Sequence, residues 1–386
     1  AYILFKPINC FSKMKRSLFT WFVLLISVST GFSQVFTNRE VGPKNQSYID
    51  SIKAAEYPYV LPIWGDRATK AGFSLPYSAG ISVNYLWQES DIVLENLMVG
   101  FNGGQKFDVD EIVRFNTAVS RAGAISVRPD VWVFPFLNVY GILARTSAST
   151  EVGYSVWLPD SLNFDSEVFS GASRVDFNAG TFGFGMTPTI GVGGGFIALD
   201  LNIAWTDVPQ LSVPTRTFVV GPRFGKNFKL NKPESAIAVW VGGFRIDINR
   251  EQSGSVNLDE VLPVDQIQPK VYLGFEQVEL SQVRVDEWWE GLSRVERLNP
   301  VNIAKFTAAN LAIEKASTFL VAVDGALNNG ESSTVQYTMD RRPADLWNFI
   351  VGSQYQLNKS LMFRAEVGFL GSRTQLMTGI QSSFGL

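Results

Sequence analysis

The feature that most narrows the folds open to this chain is an alternation written for two different surroundings. From Phe196 to Trp205 the sequence reads F-I-A-L-D-L-N-I-A-W. Ile197, Leu199, Leu201, Ile203 and Trp205 share one side, while Phe196, Ala198, Asp200, Asn202 and Ala204 share the other. A period of two is the period of a β-strand. The pattern recurs to the last residue, in Ala79 to Trp87, Asp91 to Phe101, Ala122 to Val133, Phe134 to Arg145, Glu151 to Trp157, Asp176 to Met186, Arg216 to Phe228, Ala236 to Asn249, Trp347 to Leu357, Leu361 to Leu370 and Thr374 to Leu386. No segment after the N-terminal region approaches 18 unbroken apolar residues, so a helical membrane span is not expected there.

A secretory signal precedes the strands. Lys15 and Arg16 open it, Leu18 to Val28 form its apolar stretch, and Gly31 and Ser33 supply the small residues ahead of a cleavage point before Gln34. The apolar stretch is well short of the ~20 residues of a spanning helix. Residues 1–13 read as an upstream extension. A secreted chain of alternating strands points to a barrel whose apolar side meets lipid.

Composition excludes much chemistry. Charged residues make up only 18% of the 386, below the ~25% of ordinary soluble chains, and aromatics make up 13%. There is no histidine, which removes Ser-His and Cys-His nucleophile pairs, a histidine base and every histidine metal site. The single cysteine, Cys10, lies ahead of the cleavage point. Residues 1–33 hold Lys6, Lys13, Lys15 and Arg16 and no acid, so processing takes the formal net charge from −3 to about −7. A nucleic-acid partner is not expected, since phosphate binding needs a basic surface. No catalytic residue, metal ligand or cofactor is expected. The Gly191-Val192-Gly193-Gly194-Gly195 run lacks a nucleotide fingerprint's strand–turn–helix setting.

The expected organisation is a signal region over 1–33, a periplasmic or plug segment over 34–77, and an all-β antiparallel transmembrane barrel of about twelve strands over 78–386. A helical insert is expected between late strands, over 286–326, with Asn299 and Pro300 starting its second helix. Charges two apart on one strand face share a side. Arg128 with Asp130, Arg245 with Asp247, and Arg364 with Glu366 are therefore expected in the lumen, joined by Asp200 and Arg223, since Arg facing mid-membrane lipid costs ~2–4 kcal/mol. Trp87, Trp205, Trp240 and Trp347 are expected at the membrane interfaces.

The segments Arg128 to Gly141 (R-P-D-V-W-V-F-P-F-L-N-V-Y-G), Val220 to Gly225 (V-G-P-R-F-G), and Trp347-Asn348-Phe349 through Arg364 to Phe369 carry a resemblance. The chain resembles Gram-negative outer-membrane β-barrels, and more narrowly a group of barrels sometimes labelled virulence proteins. The resemblance implies an outer-membrane location, with outer-membrane lipid and the barrel assembly machinery as partners. Such barrels usually end in an aromatic residue; here Phe384 or Leu386 is expected to serve. The expected function is a passive channel or transporter for small solutes with a charged lumen. Two alternatives stand beside it: a structural or adhesion barrel acting through its loops and insert, and a hydrophobic-solute transporter plugged by its N-terminal segment, with an apolar pocket near Tyr57 to Trp64.

Overall fold

The structure, a computed structural model, describes residues 46–386 except 111, 161–162, 193–194, 233, 250, 259–263 and 330–332. The signal region, Cys10 and the start of the 34–77 segment lie outside the described residues. Two short helices, α1 (Gln46–Ala54) and α2 (Gly65–Lys70), lead into β1 (Ala79–Phe101), β2 (Phe107–Asp108), β3 (Val113–Phe134), β4 (Leu137–Asp160), β5 (Asn163–Val192), β6 (Gly195–Asp207), β7 (Thr215–Lys229), β8 (Ala236–Ile248) and β9 (Glu251–Asn257). Three helices follow, α3 (Val264–Gly291), α4 (Arg294–Arg297) and α5 (Pro300–Asn328). The chain closes with β10 (Thr334–Pro343), β11 (Trp347–Gln356), β12 (Leu361–Phe369) and β13 (Arg373–Phe384).

Ten strands make a closed antiparallel wall in the order β1, β3, β4, β5, β6, β7, β8, β11, β12, β13. β13 pairs back onto β1 from Phe384 opposite Ala79 to Arg373 opposite Ser90. Closure leaves the lower wall no free edge and satisfies its backbone through neighbouring strands, while the upper extension of β5, before Gly180, pairs with β4 alone. Beyond Ser90, β1 parts from β13 and pairs with β10 from Ile92 to Phe101, and β9 adds to β10. β2, β9 and β10 thus lie outside the ring.

The ring is smaller than the twelve strands expected. Ala79–Trp87 and Asp91–Phe101 are one continuous strand, and Glu151–Trp157 continues β4. The alternation does falter at both places, but because the strand leaves one environment for another, not because it turns. β9 carries little alternation; β10 alternates Val335, Tyr337 and Met339 with polar residues, and reading the sequence missed it.

Seen from outside, the lower wall is apolar. Ile81, Val83, Tyr85 and Trp87 of β1, Ile125 and Val127 of β3, Phe182, Phe184 and Met186 of β5, Phe218 and Phe224 of β7, Phe349 and Val351 of β11, Phe363 and Val367 of β12, and Leu376 and Ile380 of β13 all face outward and exposed. The same strands continue upward into charge. Arg121 meets Glu89 at 2.7 Å and Glu151 at 3.3 Å, Arg174 meets Asp176 at 3.1 Å, and Arg245 meets Asp247 at 3.5 Å, all on the outer surface.

The insert is longer than the 286–326 expected, because α3 starts at Val264. Pro269 inside α3 masks that start. Asn299 and Pro300 begin α5 as the sequence indicates, with Val301 N–H donating to Asn299 Oδ1 at 3.0 Å. α5 has the length and apolarity of a membrane span, yet its Ile313, Ala316, Leu320 and Val323 are buried in a core shared with α3 and the upper ends of the barrel strands. Trp289 stacks on Phe306 at 4.4 Å, inside that hairpin. The helices therefore sit over the barrel's far end.

The segment Tyr57 to Trp64 lies across the other mouth, where the chain ends. Val60 N–H donates to Leu386 O and Ile63 N–H to Val133 O, each at 2.9 Å, and the Trp64 ring packs 5.1 Å from Phe134.

Candidate functional site

The lumen holds two cavities at different heights. The lower one, about 250 Å³, is polar, with Ser82, Asn84, Asn138, Thr187, Gln354 and Gln381 in its wall beside Arg128, Asp130, Asp200, Arg223 and Arg364. The upper one, about 480 Å³, is apolar, with Leu94, Leu97, Val175, Phe177, Ile246, Ile248, Val256 and Tyr337 in its wall. No residue lines both.

An ion cluster stands at the top of the polar cavity. Arg223, on β7, is 5% exposed and reaches two acids from different strands. Its Nη1 lies 3.1 Å from Asp200 Oδ2 on β6, and its Nε and Nη2 donate to the two oxygens of Glu366 on β12 at 2.9 and 3.1 Å. β12 lies three places from β7 around the wall, so this fork spans the lumen. A planar guanidinium suits such a two-point bond to a carboxylate. Trp240 Nε1 donates to Glu366 at 2.8 Å, and Arg364 Nη2 donates to it at 3.4 Å. Thr187 Oγ1 donates to Asp200 at 2.9 Å, and the Tyr140 hydroxyl also donates to Asp200. Each carboxylate is thus held by several donors, the condition for keeping buried charges without large cost.

Local sequence makes room for the cluster. Gly352 lies opposite Trp240 in the register, and a Cβ there would run into the indole. Gly185 clears the Tyr140 ring in the same way. Small residues on the inner face therefore fix where the large ones lie.

The expected lumen residues divide. Arg128, Asp130, Asp200, Arg223 and Arg364 line the polar cavity, and Glu366 is buried against Arg223. Arg128 and Asp130 do not pair with each other. Arg128 lies over the Tyr140 ring at 3.9 Å, while Asp130 accepts from Asn138 at 2.8 Å and Gln381 at 3.0 Å. Arg245 and Asp247 are corrections: both lie on the outer surface of β8. Trp240 is inward and 6% exposed, which sets the strand's phase and sends Arg245 and Asp247 outward. Trp240 is itself a correction, since it was expected at a membrane interface. Trp87 and Trp347 face outward, and Trp205 packs outside against Phe184 at 5.6 Å. Reading the sequence missed Tyr140 and Gln381, although each is in phase with a polar inward neighbour, Asn138 and Ser383.

Closure together with an outward apolar belt decides the class. The chain is a transmembrane β-barrel. Its antiparallel wall with lipid-facing aromatics is the outer-membrane architecture. No protein-family model and no curated protein matches the sequence. Among solved structures, the β domain of the Bordetella autotransporter Brka overlaps at a TM-score of 0.32 and 7% identity, covering 80% of this chain and 100% of that one. An outer-membrane channel from Pseudomonas putida overlaps at 0.26 and 8%, covering 80% and 96%. The toluene transporter TbuX of Ralstonia pickettii overlaps at 0.26 and 9%, covering 80% and 90%. These overlaps are loose, and the assignment rests on this chain's own closure and belt.

Proposed function

We propose that this barrel passes small solutes across the outer membrane through a lumen that its ion cluster keeps narrow. The observation that carries the reading is Arg223 bridging Asp200 and Glu366 between two separate cavities. A ten-strand ring is only slightly wider than the eight-strand barrels whose interiors side chains fill, so a few large residues suffice to constrict it. Below the cluster, Arg128, Asp130 and a set of amides line a charged, polar path. Charged rings and constrictions of this kind select solutes by size and charge. The alternative of a hydrophobic-solute transporter with an N-terminal plug is less well supported, because the apolar cavity lies at the end opposite Tyr57 to Trp64.

Planar-bilayer recording tests this reading. The native barrel is expected to give small conductance steps. Replacing Asp200, Arg223 and Glu366 together by Ala, which removes the constriction and leaves only Arg364 of the cluster without its acid, should raise conductance several-fold. A folded, inserted triple variant with no conductance above a bare bilayer would leave the cluster as a strut and the barrel as a structural or adhesion protein.

A further inference from the structure

We infer that the upper cavity is a binding site for an amphiphile with an apolar body and one anionic head group. This goes beyond the solute path proposed above, which concerns the lower cavity and the cluster.

The cavity wall is mostly hydrocarbon, and its volume of about 480 Å³ falls within the ~300–1,000 Å³ typical of small-ligand pockets. Two cations interrupt that wall, Arg341 on β10 and Arg373 on β13, and among the described residues no acidic one lines it. Arg373 is 2% exposed. Its Nη2 donates weakly, at 3.4 Å, to the backbone oxygen of Asp345, and its Nε and Nη1 have no partner among the described residues. The Asp345 carboxylate is itself engaged by the backbone N–H of Ser372 at 2.8 Å. Arg341 Nη2 donates to Ser120 Oγ at 3.2 Å, and its Nε is likewise buried without a partner.

The sheet register brings these two groups to one level. Ser90 of β1 lies opposite Arg373 on one side and opposite Ser120 on the other, and Ser120 is the residue that Arg341 grips. Two guanidinium groups with open N–H bonds therefore lie at the floor of an apolar chamber, on either side of β1. Buried charges are normally paired, since a buried donor without an acceptor is costly. A carboxylate or phosphate head would accept those N–H bonds, and an aliphatic or aromatic body would fill the space beneath the helix hairpin, where Val99, Val256, Val335 and Tyr337 belong both to the cavity wall and to the core under α3 and α5.

Equilibrium binding to the full chain in zwitterionic lipid nanodiscs tests this, with empty discs as background. The probes share one tail: dodecanoate, dodecyl phosphate, dodecanol and dodecyltrimethylammonium. Saturable binding of one or both anions is expected, about ten-fold or more tighter than dodecanol, with the cation failing to compete. The two anions distinguish a carboxylate from a phosphate head. Arg373→Gln and Arg341→Gln should each weaken anion binding about ten-fold and leave dodecanol unchanged. Ala148→Phe, which fills the chamber, should abolish both, with heat-modifiable gel mobility showing that each variant is folded. Anions that bind no tighter than dodecanol, or that ignore both arginine variants, would overturn the inference, as would an absence of saturable binding. Conductance of the same samples reports on the solute path separately, so either reading can fail alone.

Discussion

The lower and upper halves of this barrel are built from the same strands with their polarity reversed. Below, β5 shows Phe182, Phe184 and Met186 to the outside and sets Thr187 and Thr189 against the polar cavity. Above, it shows Arg174 and Asp176 to the outside and turns Val175 and Phe177 into the apolar cavity. β8 repeats the reversal, with Val239 and Val241 outward below and Arg245 and Asp247 outward above, while Trp240 gives way to Ile246 and Ile248 inside. The strand phase does not slip in either case. What changes is the surroundings on each side: an apolar belt outside and a polar cavity inside below, exposed ion pairs outside and a covered apolar chamber inside above.

The largest expected effect breaks the lower interior. Arg223→Ala strands Asp200 and Glu366 as buried acids, and loss of one member of such a cluster costs about 3–5 kcal/mol. Urea unfolding from lipid vesicles would show it, and the triple Ala variant should lose less. Next comes the lower exterior. Phe184→Arg puts a cation into the lipid-facing belt and should cost ~2–4 kcal/mol near the midplane. The same substitution on the same face but above the belt, Asn178→Arg, should stay within about 0.5 kcal/mol, as an exposed surface change does. Smaller again is Gly352→Val, which presses a side chain against the Trp240 ring and should cost about 1–3 kcal/mol by overpacking. The smallest effect belongs to the upper exterior, where Arg121→Ala removes two exposed ion pairs and should leave urea midpoints unchanged at moderate salt.

This reversal also explains how far the sequence could be read. Where lipid lies outside, the apolar set is the outer set, so Asp200, Arg223, Arg364 and Glu366 were legible as inward from alternation alone. Where the strands rise above the lipid, the same rule points the wrong way. Ile246 and Ile248 look like lipid-facing residues, so alternation points Arg245 and Asp247 into the lumen. Trp suits a membrane interface, which points Trp240 outward, yet Gly352 on the neighbouring strand vacates the space the indole needs inside. That is a cross-strand fact, invisible along one strand. The strand count erred for a related reason, since the polar breaks in β1 and β4 mark a change of surroundings and not a turn. The two cations of the upper chamber, Arg341 and Arg373, are unreadable from alternation because each lies at or near a strand end and their common level depends on register.

The most direct test of the reversal is a spin-label scan along β5 in lipid vesicles, with accessibility to oxygen and to a water-soluble nickel chelate read at each outward position from Arg174 to Met186. The structure predicts oxygen-accessible labels at Phe182, Phe184 and Met186 and chelate-accessible labels at Arg174, Asp176 and Asn178, with one crossover between them. Oxygen accessibility along the whole strand, or chelate accessibility along all of it, would contradict the account.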